Sequence, residues 1–180
     1  MPEFSQVITQ RRSIRKYQNK EVSEAALNQI LDAVKWSPSW ANTQCWEIVV
    51  VKDQAQKEAL KATLTPTNPA GPAMVGAPVV LAVCGKTNSA GYYKGEASTK
   101  FGDWLLFDLG IATQSICLAA QNLGLGTVVV GLFNHIQAKK VLGLPPGYEL
   151  VTLLPLGYPD HAPNPPKRRE IREFVHRDKF

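Results

Sequence analysis

Three short segments of this chain carry residue types that could do chemistry. Arg11-Arg12-Ser13-Ile14-Arg15 gathers three guanidinium groups and a hydroxyl within five residues. Such a set can wrap a phosphate with charge-assisted, bidentate hydrogen bonds. Ser37-Pro38-Ser39-Trp40-Ala41-Asn42-Thr43-Gln44 joins a helix stop to small residues and two amide side chains, which can read the polar edge of a heterocycle. Lys167-Arg168-Arg169 follows a proline-rich stretch and supplies a second cationic cluster. Taken singly, the two basic runs also read as solvated surface and the middle segment as an ordinary loop.

Other motifs fail on inspection. Gly124-Leu125-Gly126 opens like a dinucleotide fingerprint, but Val129 stands at the third glycine position and the segment follows a helix, not a strand. Gly85-Lys86-Thr87 lacks the first glycine of a phosphate loop, whose place Val80 holds. His135, His161 and His176 are isolated from any metal-ligand or serine-hydrolase pattern. Cys45, Cys84 and Cys117 are odd in number, widely spaced and without a C-x-x-C pair, which suits reduced thiols better than a disulfide framework or zinc site.

The elements that must position these segments follow from periodicity. Phe4, Val7 and Ile8 give a short helical stripe that delivers the chain into Arg11. Ser23 caps a helix over 24–36, in which Leu27, Ile30, Leu31 and Val34 share one face until Pro38 stops it. The segment 47–52 reads as a buried strand, and Asp53 caps a helix to about Leu64. Residues 65–76, rich in Pro, Gly, Thr and Asn, read as a loop before a second apolar strand over 78–84. A polar stretch with Tyr92 and Tyr93 precedes a long helix from about Asp103 to Leu123, ended by Gly124. A third strand is expected over 127–130, a short helix capped by Asn134, and a fourth strand over 150–156. The run 159–166 is proline-rich and extended, and it leaves the domain as an arm. Strands alternating with helices indicate a mixed α/β or α+β sheet covered by helices.

Bulk properties bound the rest. At 180 residues with 44% hydrophobic side chains, one domain over 1–180 can bury an ordinary core. The longest apolar runs fall far short of the roughly twenty residues a membrane helix needs, and the N-terminus has no basic, then apolar, signal pattern, so a cytoplasmic protein is expected. A net charge of +5 raises the question of nucleic acid, but the cations cluster at the two ends with few aromatic residues to stack bases. Two basic ends meeting around one small anion is the better reading.

In this order and at these chain positions the segments resemble the nitroreductase family of FMN-dependent enzymes. The residues that carry the resemblance are R-R-S-I-R at Arg11–Arg15 and S-P-S-W-A-N-T-Q at Ser37–Gln44. Further matches are A-P-V-V at Ala77–Val80, G-L-G-T from Gly124 with Gly131 beyond it, L-G-L-P at Leu142–Pro145 and the terminal K-R-R with Val175-His176. The resemblance implies an α+β, nitroreductase-like three-layer α/β/α sandwich with a central, mostly antiparallel sheet. It also implies an intertwined homodimer with FMN at the interface and a C-terminal arm, 158–180, crossing to the partner.

Carried over by position, Arg11, Lys167 and Arg169 would hold the FMN phosphate, Arg12 and Ser13 would assist, and Arg15 would face the pyrimidine edge. Pro38, Ser39, Trp40, Asn42 and Gln44 would come from the partner chain. The backbone at Val130 and Gly131 would approach N5, and Asn68 would add a contact. Tyr92, Tyr93, Phe101 and Trp104 would wall the substrate. The family's cycle is ping-pong, NADH or NADPH reducing FMN and a nitroaromatic, quinone or related small-molecule acceptor reoxidising it. No metal and no catalytic side chain are implied, because the chemistry lies on FMN N5. The same scaffold also serves dehalogenation, breakdown of the flavin itself, or flavin binding without catalysis. The chain departs from the family pattern at Cys45, where a proline commonly follows the glutamine.

Overall fold

The computed structural model describes residues 2–180. Helix α1 (Phe4–Gln10) leads into the basic turn, and α2 (Glu24–Lys35) begins where the Ser23 hydroxyl accepts the Ala26 N–H. Strand β1 (Trp46–Val51) is followed by α3 (Gln54–Lys61), capped by Asp53, and by α4 (Gly71–Gly76). Strand β2 (Val79–Lys86) leads to a small hairpin, β3 (Tyr92–Tyr93) and β4 (Glu96–Ala97). The long α5 (Leu105–Asn122), β5 (Gly126–Thr127), α6 (His135–Leu142) and β6 (Tyr148–Gly157) complete the core.

The main sheet runs β1-β2-β6-β5, and every neighbouring pair is antiparallel. One face packs on α2 and α5 through Leu27, Ile30, Leu109 and Ile116, which meet Val79, Leu81 and Val83. The other face packs on α3, α4 and α6 through Leu60, Met74 and Ala138, which meet Val80, Ala82 and Cys84. Because successive side chains of a strand point to opposite faces, β2 must be apolar throughout to serve both cores. A bulge in β6 opposite Val83 and Cys84 shifts the alternation, so that Leu150 and Leu153 share one core while Leu154 and Leu156 serve the other. The layered, mostly antiparallel α+β sandwich expected from the resemblance is the architecture observed.

Two expectations are corrected. Residues 65–76 hold α4 and are not all loop. Pro72 sits in its first turn, where a missing N–H costs nothing, and buried Ala73 and Met74 supply the packing that composition hid. β1 and β2 pair antiparallel, in keeping with the mostly antiparallel sheet that the resemblance implied. The strand expected over 127–130 is only Gly126–Thr127, with Val130 rejoining by a lone bridge to Leu153. The register that pairs Thr127 with Leu156 places Val128 opposite Pro155. Pro155 has no N–H to donate, and its carbonyl oxygen lies 2.9 Å from the Tyr17 hydroxyl, so the ladder breaks there and Val129 turns out to solvent.

The C-terminal arm is extended as expected. Beyond Asp160 every residue except Pro163 is exposed, and the only regular structure is a short 3-10 turn at Ile171–Glu173.

Candidate functional site

The basic turn is pinned between β5 and the departing arm. Ile14 N–H donates to the Thr127 carbonyl at 2.9 Å, and Ser13 bridges Thr127 as a short parallel pair. On the other side Gln18 N–H donates to Tyr158, Asp160 N–H to Lys16, and the Gln18 side-chain amide to Pro159. Buried Ile14 lies so close to β5 that only a glycine fits at 126: a Cβ there would stand 2.4 Å from Ile14 Cγ1 and 2.8 Å from Ile14 Cβ. The Tyr17 hydroxyl shares its proton between the Ile14 and Pro155 carbonyls, 2.8 and 2.9 Å away, and burial raises its pKa well above that of a free tyrosine.

This stapling forms a cleft of about 450 Å³ between the turn and the arm. Arg11, Arg12, Ser13 and Arg15 line it from the turn, and Pro163, Asn164, Pro166 and Arg168 from the arm. Four guanidinium groups therefore share one cleft with no carboxylate in its walls. Among the described residues, the ion pairs join Lys35 to Asp32, Lys52 to Glu24, Lys61 to Glu58 and Lys139 to Glu149, and none reaches the cleft. A concave group of cations without counter-charge, together with a hydroxyl and a side-chain amide, fits a phosphate dianion.

The arm contributes Arg168 to this cleft, a residue that the resemblance did not single out. Lys167 does not line it, and Arg169 turns back onto the arm, donating to the Glu173 carbonyl with its guanidinium over Phe174. In an extended chain successive side chains alternate in direction, so the choice among three consecutive cations rests on the path of the arm. Arg15, expected at a ring edge, lies in the same cleft as Arg11.

The segment after β5 runs on from this cleft. Val130 N–H and C=O are both engaged by Leu153, and its carbonyl also accepts the Thr152 hydroxyl at 2.9 Å, so buried Val130 has no backbone group to offer a ligand. Gly131 is exposed, with open space where a side chain would project. Its carbonyl lies 3.2 Å from His135 Nε2, while His135 Nδ1 lies 2.9 Å from the Leu150 carbonyl. Asn68 is tied to the same loop: its amide donates to the Leu132 carbonyl at 3.0 Å and its Oδ1 accepts the Ala70 N–H.

The loop 37–45 sits elsewhere on the chain, against the first half of α5. Ser37 and Ser115 hydroxyls meet at 2.7 Å, and Trp40 N–H donates to Asp108 Oδ2 at 3.0 Å. Ala41, Asn42 and Gln44 all have left-handed backbone angles, with φ of 44°, 55° and 47°. Gln44 N–H donates to the Ser39 hydroxyl and its side-chain amide to Asn42 Oδ1. Beside the loop, Trp40 packs tilted by 45° against Trp104 with ring centroids 5.0 Å apart, and Trp104 meets Phe107 edge-on at 5.1 Å. Pro38, Ser39, Trp40, Trp104, Phe107 and Ile111 wall a mainly apolar cleft of about 410 Å³ with Asp108 at its base.

Of the four aromatic residues expected to wall a substrate site, Trp104 lines this cleft and Phe101 touches Trp104 edge-on at 6.2 Å. Tyr92 and Tyr93 form β3 of the neighbouring hairpin, half-buried and exposed respectively. Phe107 and Asp108 were missed by sequence reasoning. Phe107 was legible as an aromatic side chain one turn beyond Trp104, and Asp108 as the lone carboxylate within the buried stripe of α5.

The two clefts sit along α5. Thr127, beside the basic turn, donates to Cys117 Sγ, and Asp108 holds Trp40 nine residues earlier, about 13 Å by helix rise. No helix of the described residues is long and apolar enough to cross a membrane, and no His, Cys, Asp or Glu cluster among them could hold a metal.

Comparison with known proteins agrees with this architecture. The sequence profile of the nitroreductase family matches residues 8–158. A Methanothermobacter thermautotrophicus protein bearing an NADH dehydrogenase/NAD(P)H nitroreductase name is 32% identical over 162 residues, covering 88% of this chain and 78% of its own. The FMN reductase [NAD(P)H] of Bacillus subtilis is 31% identical over 172 residues, covering 88% and 67%. The crystal structure of a nitroreductase family protein from Clostridium novyi NT superposes with a TM-score of 0.79 at 28% identity, covering 88% and 86%.

Proposed function

This chain belongs to the nitroreductase family, and from that membership we propose that it reduces nitroaromatics, quinones or related small acceptors in a ping-pong cycle. It is an NAD(P)H-dependent oxidoreductase and its cofactor is FMN. Bound FMN would supply the two-electron chemistry that links a reduced nicotinamide to the acceptor.

The observation that carries this reading is the cation cleft between the Arg11–Arg15 turn and the arm. Arg11, Arg12, Ser13 and Arg168 hold the cofactor phosphate there. Lys167 and Arg169 flank Arg168 and raise the local positive potential. Arg15 offers a cation that favours negative charge on the reduced cofactor. Gly131, exposed and with open space where a side chain would project, lets backbone approach the ring closely. Pro38, Ser39, Trp40, Asn42 and Gln44, contributed by the partner chain of the dimer, complete the ring's surroundings, and Trp104, Phe107 and Phe101, with Tyr92 and Tyr93, wall the substrate space.

The same reading takes the protein as one FMN-binding domain over 1–180 that works as a homodimer. Ile171, Phe174 and Val175 of the arm are each at least 48% exposed within one chain, so their apolar surface is unsatisfied without a second one. Strand β1 is an open edge of the sheet, beside a cleft lined by Val49, Val50 and Val51, where an arm from a partner can lie.

Anaerobic absorbance spectra test the proposal. The flavin bands of FMN-loaded protein bleach on adding NADH or NADPH and return on adding a nitroaromatic or quinone. Bands that no nicotinamide bleaches refute it, and recovery with a halogenated aromatic but with neither acceptor class moves the reading to a dehalogenase. R11A and R168A each bind FMN at least tenfold more weakly, as loss of a charge-assisted contact of about 1.5–3 kcal/mol requires. A full effect in K167A with none in R168A would instead place Lys167 on the phosphate.

A further inference from the structure

Asp108 is an anomaly in the core. It is 1% exposed, on the inward face of an otherwise apolar stretch of α5, and no cation among the described residues forms an ion pair with it. A buried carboxylate without a counter-ion is costly unless hydrogen bonds satisfy it. One oxygen, Oδ2, receives both available donors: the Trp40 N–H at 3.0 Å and the Cys45 thiol at 3.7 Å. Cys45 is itself fixed to the sheet, since its carbonyl accepts the Lys86 N–H at 2.8 Å.

Trp40 and Cys45 bracket the residues whose backbone is least favourable. Between them Ala41, Asn42 and Gln44 occupy left-handed conformations; asparagine tolerates that region, but Ala41 and Gln44 adopt it only when the surroundings impose it. The bonds inside the loop, Gln44 to Ser39 and to Asn42, do not tie it to the rest of the fold. Besides the Lys86 bond that holds the Cys45 backbone to β2, the ties come from α5, through Ser37 to Ser115 at the start and through Asp108 at both ends of the strained stretch.

We propose that Asp108 is a positioning residue that clamps Trp40 and Cys45 to α5, holding the left-handed Ala41–Gln44 turn in the shape that presents Asn42 and Gln44 to the cofactor. The proposal rests on the assignment of this loop to FMN. The same clamp fixes Trp40 against Trp104, so that one carboxylate sets both the cofactor loop and the aromatic wall.

The test is a mutant cycle of Asp108 and Ala41 read in two ways: FMN affinity, and the exciton signal of the tilted, close-packed Trp40–Trp104 pair in the circular dichroism of apoprotein, identified by its loss in W104F. D108A weakens FMN binding at least tenfold and abolishes the couplet. D108N keeps an oxygen acceptor for Trp40, so it keeps the couplet and falls between wild type and D108A in affinity. Adding A41G, which removes the left-handed penalty, recovers affinity in the D108N and D108A backgrounds while changing wild type less than twofold. Wild-type affinity and couplet in D108A overturn the proposal, as does an A41G effect of equal size in every background. If D108A does not fold, the isosteric D108N cycle with A41G decides the matter alone. Should wild-type protein not bind FMN, the cofactor assignment fails, and loss or retention of the couplet still decides whether Asp108 clamps the loop.

Discussion

Gly126→Ala probes how tightly the basic turn is built into the fold. The added Cβ would stand 2.4 Å from Ile14 Cγ1, 2.8 Å from Ile14 Cβ and 3.1 Å from Pro159 Cγ. Ordinary carbon contacts lie at about 3.5–4.0 Å, so the two segments must separate by roughly 1 Å. Rotating the Ile14 side chain does not relieve the clash, because Cβ is fixed to the backbone and Ile14 is 5% exposed. Overpacking of this kind costs about 1–3 kcal/mol. Stretching the Ile14 N–H bond to Thr127 beyond its 2.9 Å adds about 0.5–1.5 kcal/mol. The expected total is about 2–4 kcal/mol, measured by urea unfolding at fixed protein concentration. Because Arg12 and Ser13 precede Ile14 directly, the displaced turn also weakens FMN binding several-fold in titrations above the unfolding threshold. A loss of stability below about 0.5 kcal/mol together with wild-type affinity would refute the claim that this close approach sets the position of the arginines.

Further predictions concern the arm and the thiols. Truncation after Asp160 removes Arg168 and the exposed Ile171, Phe174 and Val175 while leaving both cores intact. It should abolish FMN binding and give a folded monomer in light scattering, and a truncated dimer that keeps its flavin would contradict both roles of the arm. Cys45, Cys84 and Cys117 are all buried, and burial pushes the Cys45 thiol up to about 11, with the Asp108 charge reinforcing it, and Cys84 to about 12. Native protein at pH 8 should therefore react with a thiol reagent far more slowly than unfolded protein, and rapid labelling of any one thiol would show an open path to it. These raised values mean that the folded state binds protons more tightly than the unfolded chain. The thiols thus contribute stability in full below about pH 9, and Cys45 loses its share between there and about pH 11. C45A should flatten that part of the stability curve, and an unchanged alkaline slope would refute the assignment to Cys45.

What the sequence alone determined is largely what neighbouring residues decide among themselves. Ser23, Asp53 and Asn134 cap the helices they were expected to cap, because a side-chain oxygen reaches an N–H three residues on whatever the rest of the chain does. Gly124 ends α5 with φ of 72°, its N–H bonded to Gln121 and that of Leu125 to Ala120, a stop written in a single glycine. The continuous apolar run of β2 announced a strand, which the fold then buries on both faces, and the ordered set of motifs announced the family.

Tertiary structure decided what depends on distant partners. Pro155 cut the third strand short from across the sheet, and packing drew a helix out of the Gly- and Pro-rich 71–76 segment. The path of the arm selected Arg168 from three adjacent cations. Asp108 looked like one polar residue in an apolar helix until α5 lay against the 37–45 loop and gave its carboxylate two donors. Periodicity and caps act over a few residues and can be read locally. Strand pairing, side-chain choice and the satisfaction of a buried charge are set by groups remote in sequence, and only the folded chain brings those together.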